Sequence, residues 1–166
     1  LGAPLDLLLV RKIGAPWQRE LAYAALVDGD PPEVVVNEEL APYVRDGERW
    51  LAHQVPREQA EIDRRRAAYM PGRKPLALAG RTVIVVDDGL ATGTTARAAL
   101  KALRRQKPAR LVLAVPVAPA DTVEALAPLV DELVCLATPE PFRAIGLHYR
   151  DFHQLDDSEV IALLAG

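Results

Sequence analysis

The stretch TVIVVDDGLATGTT, residues 82–95, sets a run of β-branched residues before two aspartates and a loop of glycine and threonine. β-branched residues favour strands, so the stretch predicts a strand over Thr82–Val86. The apolar periodicity that follows predicts a helix over Thr94–Gln106. A strand, a tight loop and a helix in this order form the first part of a βαβ unit.

The same alternation continues downstream. Apolar runs predict strands over Leu111–Val117 and Glu132–Leu136, with a helix over Asp121–Leu129 between them. The runs are continuous in valine and leucine, which is typical of strands covered on both faces. We therefore predict an α/β fold with a doubly wound, mainly parallel sheet and right-handed crossovers.

The first half of the chain departs from this pattern. Leu5–Val10 reads as a buried strand that ends at the basic pair Arg11 and Lys12. Two apolar segments flank an Asp-Gly-Asp-Pro-Pro turn and predict a hairpin or a small subsidiary sheet. The stretch from Glu38 to Lys74 is mostly polar and contains a predicted helix from Pro56 to about Met70.

Composition limits the classes of function. The chain has 166 residues, of which 50% are hydrophobic and 26% charged, which fits one compact globular domain. The formal net charge of -3 does not favour a nucleic-acid partner. Cys135 is the single cysteine, which excludes a disulfide framework, and its apolar neighbours indicate packing. No signal peptide or bilayer-spanning run is evident, so we expect no membrane partner and a cytoplasmic location.

The loop after Val86 carries chemistry suited to a phosphate. Gly93 permits a close backbone approach, while Thr92, Thr94 and Thr95 offer hydroxyls beside the free amides of a helix start. Those amides and the helix dipole favour an anion. The sequence therefore predicts that this loop binds a phosphate group.

Asp87 and Asp88 lie at the same point but cannot donate to a phosphate, because ionised carboxylates only accept hydrogen bonds. They suit the hydroxyls of a sugar, or a cation that travels with the phosphate. A ribose 5-phosphate accompanied by Mg²⁺ meets both demands. Turn and N-cap chemistry alone, or a phospho-acceptor aspartate, are the alternatives. The common nucleotide-loop, dinucleotide and nucleophile-elbow motifs are absent.

Residues Val83–Thr95 resemble the phosphoribosyl pyrophosphate motif of the type I phosphoribosyltransferases. Together with LDLLLVRKIGAP, GRTVIVVDDGLATG and TPEPFRAIGLHYRDF, they are similar to a bacterial and archaeal subfamily whose substrate is generally unassigned. The resemblance covers nearly the whole chain. It implies one domain over residues 1–166, in which about residues 38–74 form a flexible cover and hood.

The resemblance also implies roles for individual residues. Asp87 and Asp88 match the acids that bind the ribose hydroxyls, and Arg11 and Lys12 match a basic pair beside the pyrophosphate. The loop that wraps the 5-phosphate matches Ala91, Thr92, Gly93, Thr94 and Thr95. Mg²⁺ would arrive mainly with phosphoribosyl pyrophosphate, so no protein metal ligand is assigned. Small molecules are the expected partners, and a homodimer is compatible with the resemblance.

We thus expect an enzyme that transfers a phosphoribosyl group to an unidentified base or small nucleophile and releases pyrophosphate. A module that senses phosphoribosyl pyrophosphate or a nucleotide without turnover is the alternative. Ala91 replaces a third acid found in the 6-oxopurine enzymes, which argues against those acceptors, and Gly89 in place of an apolar residue suggests a looser loop. The resemblance also implies an earlier strand and a pyrophosphate loop, and nothing in the chain matches them. Leu1-Gly2 reads as a helix tail, which agrees with this, so we expect that segment to be missing upstream.

Three further features stay open in the sequence. Arg64, Arg65 and Arg66 follow acids on a predicted helix, which favours a solvated face over a lid. His148, Asp151 and His153 lie close together but lack a fourth ligand, which argues against a metal. Phe142 suits either an acceptor base or core packing.

Overall fold

The computed structural model describes residues 2–165, which divide into two compact units. Unit 1 runs to Leu76 and resumes at Leu155, and unit 2 is Ala77–Gln154. The helix tail predicted at Leu1-Gly2 falls partly outside the described residues, and Gly2 itself has a φ of 62°. Among the described residues, none of the helices combines the length and the apolar character that a bilayer span requires.

Unit 1 contains a three-stranded antiparallel sheet in the order β1-β2-β3. Its strands are β1 (Val10–Ala15), β2 (Gln18–Val27) and β3 (Glu33–Val36). The predicted subsidiary sheet is thereby confirmed. The strand predicted over Leu5–Val10 is wrong, because the ladder begins where Val10 pairs with Val27. Arg11 and Lys12 consequently lie inside β1 and not after a strand.

Helix α1 spans Gly47–Tyr69 and so begins nine residues before the predicted start at Pro56. Proline favours the first turn of a helix, which suggested that start, yet here it lies in the interior at the cost of one backbone hydrogen bond. Trp50, Leu51 and Val55, all N-terminal to the proline, pack against the buried core of unit 1. Tertiary packing thus extends the helix past the residue that local preference would make its beginning.

The core of unit 1 lies between α1 and its sheet and comprises Ile13, Ala15, Tyr23, Ala24, Leu26, Val44 and Ile62. Trp50 closes one end, where its Nε1 donates to the Gly14 carbonyl at 3.0 Å. A final helix, α4 (Asp157–Ala165), packs on α1. The Tyr69 hydroxyl donates to the Asp157 carboxylate at 2.6 Å and joins the two helices.

The three consecutive arginines of α1 have different partners. Arg64 and Arg65 both donate to Glu61 one turn earlier, which confirms the solvated face for these two. Arg66 does not belong to that solvated face, because its side chain is only 15% exposed and its Nε donates to Asp28 at 2.6 Å. Its other nitrogens donate to Asp6 at 3.1 Å and to the Leu7 carbonyl at 2.8 Å. Arg66 therefore ties α1 to the segment before β1 and to the end of β2.

Unit 2 is built from the predicted alternation of strands and helices. Its parallel sheet has the order β4-β5-β6, with strands β4 (Thr82–Val86), β5 (Arg110–Val117) and β6 (Glu132–Ala137). The connecting helices are α2 (Thr94–Arg105) and α3 (Ala120–Leu126), and a short 3-10 turn, Ala127–Leu129, extends α3. Each predicted element of this unit is confirmed to within three residues.

The sheet of unit 2 differs on its two faces. Right-handed crossovers between sequential neighbours place successive helices on the same face. On the other face Val86 is 74% and Leu136 79% exposed, whereas β5 is buried along most of its length. The expected coverage on both faces therefore holds for β5 but is wrong for β4 and β6, whose residues alternate between exposed and half-buried.

Candidate functional site

The acid loop, defined here as Asp87–Leu90, follows β4 directly and places two exposed carboxylates at the carboxyl end of a parallel strand. The Asp88 N–H donates to Asp87 Oδ1 at 3.0 Å. Although Asp87 is exposed as a residue, neighbouring protein partly desolvates its carboxyl and raises its pKa; the Asp88 charge adds to this effect and the N–H bond opposes it. A cation or a hydrogen-bond donor beside Asp87 would therefore stabilise its ionised carboxylate.

One backbone hydrogen bond and close packing hold the acid loop against neighbouring residues of unit 2. Leu90 is buried, and its N–H donates to the Val117 carbonyl at 3.0 Å. A Cβ on Gly89 would lie 2.8 Å from Ile145 Cγ2 and 3.0 Å from Val117 Cγ1. The expectation that Gly89 loosens this loop is wrong, because the glycine permits close packing against its neighbours.

The phosphate cradle, Ala91–Thr95, leads from the acid loop into α2. Gly93 occupies the N-cap position with a φ of 68°, and a Cβ there would lie 2.9 Å from Thr122 Cγ2. The Thr122 hydroxyl in turn donates to the Ala91 carbonyl at 2.8 Å. Glycine is therefore required at this position both for its backbone conformation and for space.

The start of α2 is suited to an anion. No side chain caps the helix, and its first turn carries no acidic residue. Thr92, Thr94 and Thr95 are exposed, and the hydroxyls of Thr92 and Thr94 lie 3.2 Å apart. The Thr92 and Thr94 hydroxyls thus lie together at the uncapped start of α2, which the chain reaches directly after the two carboxylates. That these groups bind a sugar phosphate stays a prediction.

Arg11 and Lys12 belong to unit 1 and do not act as a pair. Successive residues of a strand point to opposite faces. Arg11 shares the face of the buried Ile13, and its Nε donates to Glu58 on α1 at 2.7 Å. Lys12 is exposed and its Nζ lies 3.3 Å from the Glu20 carboxylate. Their role in pyrophosphate binding stays a prediction, and only one of the two can face a given site.

A second segment of unit 2 supports the acid loop. We define the buttress as Ile145–Phe152, which opens with a 3-10 turn. The Tyr149 hydroxyl donates to the Asp88 carbonyl at 2.6 Å, and the Tyr149 and Phe152 rings lie 5.1 Å apart. Sequence reasoning did not assign Tyr149, because no spacing signal connects positions 61 residues apart.

His148 of the buttress and the adjoining His153 make other contacts. His148 stacks on Phe142 with ring centroids 5.6 Å apart, and His153 Nδ1 lies 3.4 Å from the Asp151 carboxylate. Within residues 2–165, no group of three or more His, Cys, Asp or Glu side chains is arranged to hold a metal ion. Whether Phe142 contacts an acceptor stays a prediction.

Comparison with known proteins identifies the family. The sequence model of the "Phosphoribosyl transferase domain" matches residues 12–146, a range that includes the acid loop and the phosphate cradle. The chain belongs to the phosphoribosyl transferase domain family. Two Mycobacterium tuberculosis proteins, from strains CDC 1551 and H37Rv, are named "Putative phosphoribosyl transferase" MT0597 and Rv0571c. Each is 42% identical to this phosphoribosyl transferase domain over 99% of the chain.

The fold agrees with this assignment. The crystal structure of TT1426 from Thermus thermophilus matches 98% of this phosphoribosyl transferase domain with a TM-score of 0.81 and 38% identity. The match spans 76% of the TT1426 chain. The predicted α/β class and the resemblance to phosphoribosyltransferases are thereby confirmed. The domain spans only 37% of the length of each M. tuberculosis relative.

Proposed function

We propose that this domain binds phosphoribosyl pyrophosphate and transfers its phosphoribosyl group to a base nitrogen or another small nucleophile. The observation that carries the proposal is the combination of Asp87 and Asp88 with an uncapped start of α2, all at the end of one strand in a phosphoribosyl transferase domain. The carboxylates would accept hydrogen bonds from the ribose hydroxyls. The cradle amides and hydroxyls would donate to the 5-phosphate.

The reaction is a displacement at C1 of the ribose. The bond from C1 to a pyrophosphate oxygen breaks, and the electron pair leaves with pyrophosphate. A bond from the nucleophile to C1 forms, and the proton that the nucleophile loses passes to the departing pyrophosphate or to water. Positive charge develops on the sugar during this exchange, so the negative charges of Asp87 and Asp88 would stabilise the transition state. Fixing the sugar between two rigid loops supplies the orientation that the displacement needs.

The donor set near the acid loop fits Mg²⁺, which binds hard oxygen ligands and substrate phosphates. The substrate would carry the ion, and Asp87 and Asp88 would offset its charge from nearby; the raised pKa of Asp87 is consistent with a carboxylate that lacks a compensating positive charge. When bound, Mg²⁺ would offset negative charge on the departing pyrophosphate. Arg11 and Lys12 stay the candidates for a pyrophosphate contact, and each is paired with a glutamate of unit 1, Arg11 with Glu58 and Lys12 with Glu20.

Turnover tests the proposal against binding alone. The protein is incubated with phosphoribosyl pyrophosphate, Mg²⁺ and a panel of purine, pyrimidine and other nitrogen nucleophiles, and pyrophosphate release is measured. We expect release that depends on one acceptor and disappears in Asp87→Asn/Asp88→Asn. Asp30→Asn/Glu124→Gln removes two exposed charges outside the acid loop, the cradle and the segment 38–74, and serves as the control. Binding without acceptor-dependent release would favour the sensing module.

The cytoplasmic location remains part of this proposal.

A further inference from the structure

The acid loop is fixed at three points, two of which are set by backbone and packing. The Leu90 N–H bonds to Val117, and Gly89 packs against Val117 and Ile145. The third point is the bond from the Tyr149 hydroxyl to the Asp88 carbonyl, at 2.6 Å. Short hydrogen bonds of this length hold their acceptor in a defined direction.

The Asp88 carbonyl belongs to the peptide group that joins Asp88 to Gly89. Glycine does not restrict the rotation of that group, because it lacks the Cβ that limits other residues. A hydrogen bond to the carbonyl therefore selects one orientation of the peptide plane and, because the carbonyl carbon is bonded to the Asp88 Cα, anchors the backbone from which the Asp88 side chain extends. The Tyr149 ring is itself held against Phe152, and Phe152 lies against Gly146, where a Cβ would come within 2.7 Å of its ring.

We propose that Tyr149 is a positioning residue that holds the Asp88 carboxylate in the orientation needed for the ribose hydroxyls. This inference rests on the proposed function, because it assumes that Asp88 contacts a sugar. The phosphate cradle has its own supports, among them the bond from Thr122 to Ala91, and does not depend on Tyr149. Loss of the tyrosine hydroxyl should therefore weaken recognition of the sugar and leave recognition of the phosphate intact.

Two ligands separate these effects. Calorimetric titration compares ribose 5-phosphate with 2,3-dideoxyribose 5-phosphate, which keeps the phosphate but lacks both hydroxyls. In Tyr149→Phe we expect the dissociation constant for ribose 5-phosphate to rise about 3- to 10-fold, the equivalent of one hydrogen bond. The constant for the dideoxy ligand should stay within about twofold, the spread that context alone gives such contributions. Tyr43→Phe is the matched control, since Tyr43 is 72% exposed and its hydroxyl has no hydrogen-bond partner among the described residues.

Backbone hydrogen exchange at Gly89 gives a second measurement that needs no ligand. We expect faster exchange in Tyr149→Phe than in the wild type, with no change in Tyr43→Phe. Equal weakening of both ligands would overturn the inference and make Tyr149 a general support of unit 2, and no weakening of either would also overturn it. If the wild-type protein shows no preference for the ligand with hydroxyls, the proposed function itself fails.

Discussion

Replacing Arg66 by Met should destabilise unit 1 strongly, because the guanidinium joins three acceptors in a half-buried setting. The Asp28 side chain is only 6% exposed, so without Arg66 it would lose its cationic partner in a site with little access to water. Burial lowers the pKa of Arg66, but its bonds to Asp28 and Asp6 outweigh that effect and leave the pKa raised. Breaking a buried pair from one side costs about 3–5 kcal/mol.

For a chain of this length, such a loss lowers the midpoint of thermal unfolding by roughly 6–20 °C. Urea unfolding followed by tryptophan fluorescence reports on the right part of the molecule, since Trp17 and Trp50 are the two tryptophans and both lie in unit 1. The control is Arg64→Met, whose side chain is 54% exposed and pairs with Glu61 at the surface. An exposed pair contributes about 1 kcal/mol or less.

A double variant distinguishes the cost of leaving the Asp28 carboxylate unpaired from the cost of losing the packing of the Arg66 side chain. Asp28→Asn added to Arg66→Met removes the negative charge that the first substitution leaves behind, so part of the stability should return. The reasoning is refuted if Arg66→Met unfolds within about 1 kcal/mol of the wild type, or if the Arg64→Met control costs as much.

Three further substitutions, with Gly80→Ala as a comparison for the first, test local features. Gly93→Ala should cost about 2–4 kcal/mol in urea unfolding, from its left-handed backbone and its contact with Thr122, whereas Gly80→Ala, with a φ of 71° and open space, should cost only about 1–2. Asp87→Asn should raise the melting temperature of the ligand-free protein at pH 7 more than at pH 4. The raised pKa makes the ionised carboxylate destabilising once the pH exceeds it, and a lower melting temperature at pH 7 would contradict this. The hydrogen bonds from Arg64 and Arg65 lower the pKa of Glu61 from 4.5 to about 2, so its stabilisation is lost as pH falls through that interval. Glu61→Gln should remove this part of the acid dependence measured by circular dichroism.

The parts of the fold that the sequence predicted depend on contiguous residues. The run Thr82–Val86, the two aspartates and the start of α2 follow one another directly, so local preference decides them. In unit 1 the outcome depends on partners far along the chain. β1 starts at Val10 because Val27 pairs with it, and the long α1 depends on packing against the sheet.

The same distinction holds for the site. Asp87, Asp88 and the cradle could be read from their order in the sequence and the free helix start that follows. The support from Tyr149 and the Arg66 contacts join residues 61 and 38 positions apart, and no local pattern marks them. Arg11 and Lys12 looked like a pair because they are adjacent, but strand geometry sends adjacent side chains to opposite faces.

Calorimetric titration of phosphoribosyl pyrophosphate with Mg²⁺ tests the central claim most directly. The account predicts that the wild-type protein binds one equivalent and that Asp87→Asn/Asp88→Asn weakens this binding by at least about 100-fold, the equivalent of two hydrogen bonds to charged groups. The Asp30→Asn/Glu124→Gln control should bind as the wild type does. Absence of binding by the wild type, or equal binding by the Asp87→Asn/Asp88→Asn variant, would contradict the account.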